Sequence, residues 1–291
     1  MHHYWIRPLA LVTALLATTG GLTGRALALE AMSIHPPMLS HRAVYKVGLA
    51  PGHNRGQVFS VDGRMVTEWQ ETCDGLISEQ RIVTDMLDEA GEQSLSDISA
   101  SSWESRDGRH FRFSMRQRLD NKLVAEYDGN ADFESALAKG AARLRKPDVK
   151  DVLLPPGVLF PSGYMQSLLD AARLGQHNIA RQVFDGTSES DYYQVVSTIG
   201  AGTSIKAARQ ADQASKQSEP HKSVQNAISG LTWWPVQISY YDPKQNEGLP
   251  EFEMAFKLYD NGVSADLTLD YGAFALFASL QRIEAYKAPD C

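Results

Sequence analysis

Apolar and polar residues alternate along most of this chain. Phe111, Phe113, Met115 and Leu119 occupy odd positions, and the even positions between them carry arginine or serine. The same period of two runs through residues 251–270, interrupted only by Asp260-Asn261-Gly262. A period of two predicts strands with one buried face. An Asn-Gly pair can adopt the positive φ angles of a tight turn, so residues 251–270 are predicted to form a β-hairpin.

Turn signals recur between the alternating segments, which predicts a meandering antiparallel sheet. They fall at Asp62-Gly63, Ala90-Gly91, Asp107-Gly108, Asp120-Asn121 and Asp242-Pro243. Residues 131–146 fit either a helix or a short hairpin turning at Lys139-Gly140, and the surrounding pattern favours the hairpin. In residues 274–286 the alternation slips before Ile283, which predicts a bulged strand.

Two segments depart from the strand pattern. Residues 162–175 are predicted to form the main helix, capped by Ser162 and ended by Gly175, with Leu168 and Leu169 on its apolar face. Residues 200–229 are rich in Ala, Ser, Gln and Lys, and poor in large apolar residues. We interpret them as a low-complexity surface loop between strands, with a frayed helix as an alternative.

The first 28 residues resemble a secretory signal. A start with His2, His3 and Arg7 precedes a short apolar run, and Ala26-Leu27-Ala28 supplies the small residues that a signal peptidase reads. The apolar run is shorter than the roughly 20 residues that cross a bilayer. We therefore predict export to the periplasm with cleavage between Ala28 and Leu29, which leaves residues 29–291 as a single β domain that does not span the membrane.

Charge and cysteine content fit that compartment. The exported chain would carry 26 basic and 35 acidic residues, a net charge of −9, which disfavours nucleic acid as a partner. Cys73 and Cys291 are the only cysteines, and an oxidising compartment favours a disulfide between them over free thiols or an intermolecular bridge. Cys73 shares a strand face with Met65 and Trp69, so we expect it to point inward.

No motif indicates catalytic residues, a metal site or a cofactor. The chain has no Gly-x-Ser-x-Gly elbow and no His-Glu-x-x-His pair. Residues 200–206 lack the spacing of a phosphate-binding loop. The arginines at 112, 116 and 118 fit the solvated face of a strand, although they could meet an anion. Trp233-Trp234 and Tyr240-Tyr241 could line a cavity, but alternation sends neighbouring rings to opposite faces.

Three features together resemble the EipB-type family of cell envelope integrity proteins. They are the segment Trp69-Gln70-Glu71-Thr72-Cys73-Asp74-Gly75, the segment Leu154-Pro155-Pro156-Gly157-Val158-Leu159-Phe160-Pro161, and the terminal Cys291. The resemblance implies a mainly β fold, in which a long antiparallel sheet coils into a spiral or open barrel with one main helix. It also implies a Cys73–Cys291 disulfide, no established enzymatic activity, and a possible periplasmic tetratricopeptide-repeat partner.

The hypothesis from the sequence is therefore a periplasmic, non-enzymatic protein that supports envelope integrity. It would bind a protein partner or a lipid-like ligand on a curved β-sheet. A hydrolase acting on envelope glycan or lipid is the alternative, and a redox sensor that uses Cys73 and Cys291 is a third possibility. No ligand-binding residue can be named from the sequence.

Overall fold

The computed structural model describes residues 38–54, 58–135, 138–187, 191–204, 222–245 and 248–291. They belong to one compact unit, residues 36–291, and the predicted signal segment lies outside the described residues. The strands are β1 His41–Asn54, β2 Val58–Glu71, β3 Gly75–Asp88, β4 Gln93–Ser105, β5 His110–Leu119, β6 Lys122–Phe133, β7 Gly140–Lys146, β8 Lys150–Leu154, β9 Asn178–Val183, β10 Tyr193–Ile199, β11 Thr203–Ser204, β12 Thr232–Tyr241, β13 Phe252–Tyr259, β14 Ser264–Asp270 and β15 Phe274–Ala285. The helices are α1 Pro161–Arg173 and α2 Lys222–Ile228.

All of these strands belong to one antiparallel sheet, which confirms the predicted fold class. The sheet order is β8-β7-β6-β5-β4-β3-β2-β1-β15-β14-β13-β12-β10-β9, and β11 pairs with β12. Pairing between β1 and β15 joins the first and last strands of the described residues. Strands β8 and β9 do not pair with each other, so the sheet is long but not closed. Strand twist accumulates over so many strands and coils the sheet into an open barrel.

The predicted hairpins are present, with two local differences. In the β13–β14 turn only Gly262 has a positive φ, 84°, and its N–H donates to the Tyr259 carbonyl at 2.8 Å. This is a three-residue loop, Asp260-Asn261-Gly262, whose last residue is the left-handed glycine, and not a two-residue turn. Phe133 pairs with Gly140, so the connection between β6 and β7 ends at Lys139, and Gly140 is already in the strand.

The predicted bulge in the last strand is confirmed. Val44 of β1 pairs with Arg282, but its neighbour Tyr45 pairs with Leu280. Gln281 is therefore the extra residue in β15. The bulge restores the apolar face after the phase slip, because both Leu280 and Ile283 are buried.

Helix α1 occupies the predicted position, but Ser162 does not cap it. Phe160 is the N-cap residue and makes no side-chain cap bond. The Glu104 carboxylate reaches the helix from β4 instead, accepting from Ser162 N at 2.9 Å and from Gly163 N at 3.2 Å. At the other end Gly175, with φ of 69°, ends the helix as predicted: its N–H donates to Ala172 O.

The predicted loop at 200–229 contains regular structure in its described part. Thr203–Ser204 pair with β12, and Lys222–Ile228 form α2. Val224 is buried in the main core, which explains why this seven-residue segment is helical despite its polar composition. Residues 205–221 lie outside the described residues. No helix in the described part of the chain is long and apolar enough to cross a membrane.

Two hydrophobic clusters cover the apolar face of the sheet. The larger one packs α1 and α2 against strands β1–β3, β9, β10 and β12–β15, with Leu168, Leu169 and Leu258 fully buried. The smaller one joins β5–β8 through stacked aromatic rings, including Phe111 and Phe160, whose centroids are 4.7 Å apart. The long strands β1–β5 turn their other face away from both clusters, and that face is polar.

Candidate ligand groove on the polar face of β1–β5

The polar face of the first five strands forms a groove of about 650 Å³. Alternation places on this face the even residues of β1, β2 and β5 and the odd residues of β3 and β4. We call this surface the polar groove; it is lined by Arg42, Arg64, Val66, Glu68, Glu79, Gln80, Arg81, Val83, Ser99, Ala100, Ser101, Ser114 and Arg116. A second cavity of about 540 Å³ shares Arg64 and Val83 with it, so the two are adjacent.

Strand register arranges the groove side chains in rows that cross the sheet. Arg81 of β3 pairs with Ser99 of β4, and Ser99 pairs with Arg116 of β5. Neighbouring strands lie about 4.8 Å apart, so the two arginine stems stand roughly 10 Å apart with a hydroxyl between them. We call these three residues the Arg–Ser–Arg row.

Both arginines of this row are oriented by carboxylates. Arg81 donates from Nε and Nη2 to the two carboxylate oxygens of Asp97, at 3.0 and 2.8 Å. These hydrogen bonds hold the pKa of Asp97 below its ordinary value. Arg116 donates from Nε to Glu126 at 2.8 Å. Because paired guanidinium groups lose less freedom on meeting an anion, these ion pairs preorganise the row.

Charge is separated along the groove. On one side of the Arg–Ser–Arg row, Lys46 lies directly opposite Arg64. On the other side, Glu68 lies directly opposite Glu79. Like charges in direct cross-strand register are unfavourable in isolation. The polar groove therefore presents the Arg–Ser–Arg row and Arg64 beside an acidic row, while Lys46 lines the adjacent cavity and pairs there with Asp62 at 3.6 Å.

The acidic row is held in place by the start and end of the described chain. Arg42 at the beginning of β1 pairs with Glu68 at 3.1 Å. Tyr286, just after β15, donates from its hydroxyl to Glu68 at 2.8 Å, and the pKa of Tyr286 is raised to about 12 by desolvation and by this carboxylate. The groove is thus built from strands of the first half of the chain and closed at one side by residues near the C-terminus.

The expected disulfide lies next to this region. Cys73, in the turn between β2 and β3, is bonded to Cys291. Both residues are exposed, so the expectation that Cys73 points inward is wrong. The alternation that places Met65 and Trp69 on one face ends with β2 at Glu71, two residues before the cysteine. The bridge therefore ties the C-terminal tail to a turn and does not form part of the core.

The described histidines do not converge on a site. His41 Nδ1 donates to Leu39 O at 2.6 Å, and burial lowers the pKa of His41. His110 contacts Asp132 at 2.7 Å, and His177 contacts Ile199 O at 3.0 Å. Across residues 38–291, leaving out the undescribed gaps, no group of three or more His, Cys, Asp or Glu side chains could hold a metal ion.

The aromatic and arginine candidates from the sequence are divided between the two faces. Trp234 is buried in the main core, whereas Trp233 lies on the opposite face with Lys257 Nζ 5.0 Å from its ring centroid. Tyr240 joins an aromatic row at the edge of the core, 5.8 Å from the Phe252 ring. Arg112 covers Trp103 at 5.3 Å on the polar face, so this part of the arginine stripe is a solvated surface.

Sequence reasoning named Arg116 only as part of that stripe and missed Arg81 and Ser99. Each of these residues looks like an ordinary polar position of an alternating strand. One sequence signal could have pointed to this region: three consecutive polar residues, Glu79-Gln80-Arg81, interrupt the alternation of β3. All three are exposed, so the middle of β3 is solvated on both faces. Only the register of β3, β4 and β5 brings the three side chains together.

Comparison with known proteins gives consistent matches over most of the chain. A family model described as EipB-like matches residues 33–287. The cell envelope integrity protein EipB of Brucella abortus (strain 2308) is 32% identical over 268 residues, which are 91% of this chain and 89% of that protein. The crystal structure of a beta-barrel-like protein of the domain of unknown function DUF1849, also from Brucella abortus, superimposes with a TM-score of 0.74. The two are 28% identical, over 86% of this chain and 99% of that one.

Proposed function

Because this chain belongs to the EipB-like family, we propose that it supports cell envelope integrity from the periplasm, without catalysis, by binding a ligand or a protein partner in the polar groove. The relative's name supports the envelope role. The Cys73–Cys291 disulfide supports an oxidising compartment. A periplasmic tetratricopeptide-repeat protein is a candidate partner on the strength of the family resemblance.

The observation that carries the binding proposal is the polar groove itself. It has a volume of about 650 Å³, within the range of small-molecule sites. Two of its arginines, Arg81 and Arg116, are oriented by carboxylates. Exposed ion pairs contribute little to stability. We therefore interpret the oriented arginines on this exposed sheet face as a binding surface.

Filling the groove tests this function. Ser101 is an exposed residue on its floor, and Ser101→Trp would occupy part of the groove. Val196 is 43% exposed on β10 and does not line the groove, so Val196→Trp is the matched control. In cells that lack their own copy of the protein, we expect Val196→Trp to restore growth on detergent and Ser101→Trp to fail, at equal periplasmic protein levels. Full restoration by Ser101→Trp would rule out the groove as the functional surface.

Export has its own test. Mass spectrometry of the protein released from the periplasm should find Leu29 as the first residue, as cleavage after Ala28 requires. A protein that keeps residues 1–28, or that remains in the cytoplasm, would contradict the proposed location.

A further inference from the structure

The Arg–Ser–Arg row has hydrogen-bond donors that its own ion pairs leave unused. A guanidinium group has five N–H donors. Arg81 uses Nε and Nη2 on Asp97, and Arg116 uses Nε on Glu126. The side chains of Arg81 and Arg116 remain 64% and 52% exposed. Terminal N–H groups from both sides, with the Ser99 hydroxyl between them, are therefore accessible from the groove.

This donor set has the chemistry of an oxyanion site. Planar guanidinium groups match the geometry of phosphate and carboxylate oxygens, and a hydroxyl adds a neutral donor. Arg64 in the neighbouring row adds positive potential, whereas Glu68 and Glu79 on the opposite side repel an anion. Lys46, opposite Arg64, is already paired with Asp62 at 3.6 Å. These attracting and repelling charges favour an anion position over Ser99 on the side of Arg64, away from the acidic row.

We propose that the polar groove binds a phosphate-type oxyanion over Ser99, between Arg81 and Arg116. This inference rests on the proposed function, because it names the chemistry that the groove recognises. Val66 lies directly opposite Arg81, and Val83 lies opposite Arg64. These side chains place apolar surface beside the anion, so an amphiphile with a phosphate headgroup would make contacts that free phosphate would not.

Calorimetric titration of the mature, oxidised protein at low ionic strength tests the proposal. The three probes are dodecyl phosphate below its micelle concentration, inorganic phosphate, and the neutral dodecyl maltoside. We expect both phosphate probes to bind and added salt to weaken both, since the site is exposed to screening. Tighter binding of dodecyl phosphate than of inorganic phosphate identifies a lipid headgroup as the source; equal affinity identifies free phosphate.

Three variants place the site. Arg116→Gln removes one charge at contact distance and should weaken binding of the phosphate probes roughly fivefold. Glu79→Gln removes a repelling carboxylate and should strengthen binding. Arg112→Gln changes an arginine on the same strand face that stacks on Trp103 and does not line the groove, so affinity should stay the same. Circular dichroism checks that each variant is folded.

The inference fails if dodecyl maltoside binds as tightly as dodecyl phosphate, or if neither phosphate probe binds. It also fails if Arg116→Gln binds like the unmodified protein, or if Arg112→Gln is weakened equally. Each of these results leaves the groove function intact when Ser101→Trp still abolishes detergent resistance. If Ser101→Trp instead restores resistance while phosphate binds as expected, the oxyanion site exists and the proposed function is wrong.

Discussion

Strands β3 and β14 belong to the same sheet and differ in what their two faces meet. Along β14, every second residue is buried from Ala265 to Leu269, and the alternation is complete. Along the middle of β3, the consecutive residues Glu79, Gln80 and Arg81 are all exposed. Helices α1 and α2 pack on the side of the sheet that contains β14, so its apolar face is covered. Regular strand pairing therefore continues where core packing has stopped.

This difference divides the sheet into a region that stabilises the fold and a region that exposes a polar surface. We call β10 and β12–β15 with both helices the packed region, and β1–β5 the groove region. Hydrophobic burial concentrates in the packed region, and each buried large side chain contributes about 1.5–3 kcal/mol. The groove region also buries one of its two faces, through residues such as Val47, Met65 and Phe111. Its polar face is held by backbone pairing and exposed ion pairs, and stays accessible.

The largest expected effect comes from the packed region. Leu258 on β13 is fully buried, and Leu258→Ala should lower the free energy of unfolding by about 4 kcal/mol, through lost burial and a cavity. Val66 on β2 is half-buried in the groove, and Val66→Ala should cost less than about 1 kcal/mol. Urea unfolding measures both. Equal losses would mean that the polar face of the groove region is packed as tightly as the core.

The disulfide is expected to have the next largest effect, because it joins the regions. It ties the tail that follows β15 to the turn between β2 and β3, across 218 residues. Cys73→Ser should lower the free energy of unfolding by about 3 kcal/mol, measured by thermal or urea unfolding. Cys73→Ser with Cys291→Ser should lose the same amount as the single variant. Unfolding that is the same with and without reductant would contradict a stabilising bridge.

Glu104 is the contact through which the groove region holds helix α1. The residue is 5% exposed and accepts two backbone N–H groups at the helix start. Glu104→Ala should lower the free energy of unfolding by about 2 kcal/mol, because it leaves buried donors without partners. Glu79→Ala, on the exposed part of β3, is the control and should change little.

The same residue predicts a pH dependence. Burial raises the pKa of Glu104 above its ordinary value of 4.5. The folded state then binds its proton more tightly than the unfolded state, so stability falls as the pH rises from about 4.5 through the raised pKa. Glu104→Gln lacks this titration. Urea unfolding across that pH range should show the stability of the unmodified protein declining relative to Glu104→Gln; parallel curves would exclude the effect.

The smallest effect is expected in the Arg–Ser–Arg row. Arg116→Gln breaks an exposed ion pair with Glu126, and should change the free energy of unfolding by no more than about 0.5 kcal/mol. A thermal unfolding curve that overlays that of the unmodified protein is the expected result. A large loss of unfolding free energy would show that the row stabilises the fold, as the core residues of the packed region do.

In helix α1, some features follow from residues close in sequence and others from residues far away in the chain. Its apolar face and its glycine end were predicted, because both depend on residues within a few positions of each other. Its start was not, because the cap comes from Glu104, 58 residues earlier in the chain. At its C-terminal end, Arg173 donates to Asp260 at 2.7 Å, across a separation of 87 residues. Neither contact leaves a local signal.

The amino-acid sequence by itself determined the mainly β character of the chain, the apolar face of its clearly alternating strands, and that Cys73 and Cys291 are its only cysteines, because alternation and composition are local properties. Only the tertiary structure decided which strands become neighbours and in what register. That register brings Arg81, Ser99 and Arg116 into one row, exposes Cys73, and brings Glu104 to the start of α1. The reason is physical: a strand's side-chain pattern specifies its two faces, whereas cross-strand contacts depend on pairing between segments that the sequence alone does not align.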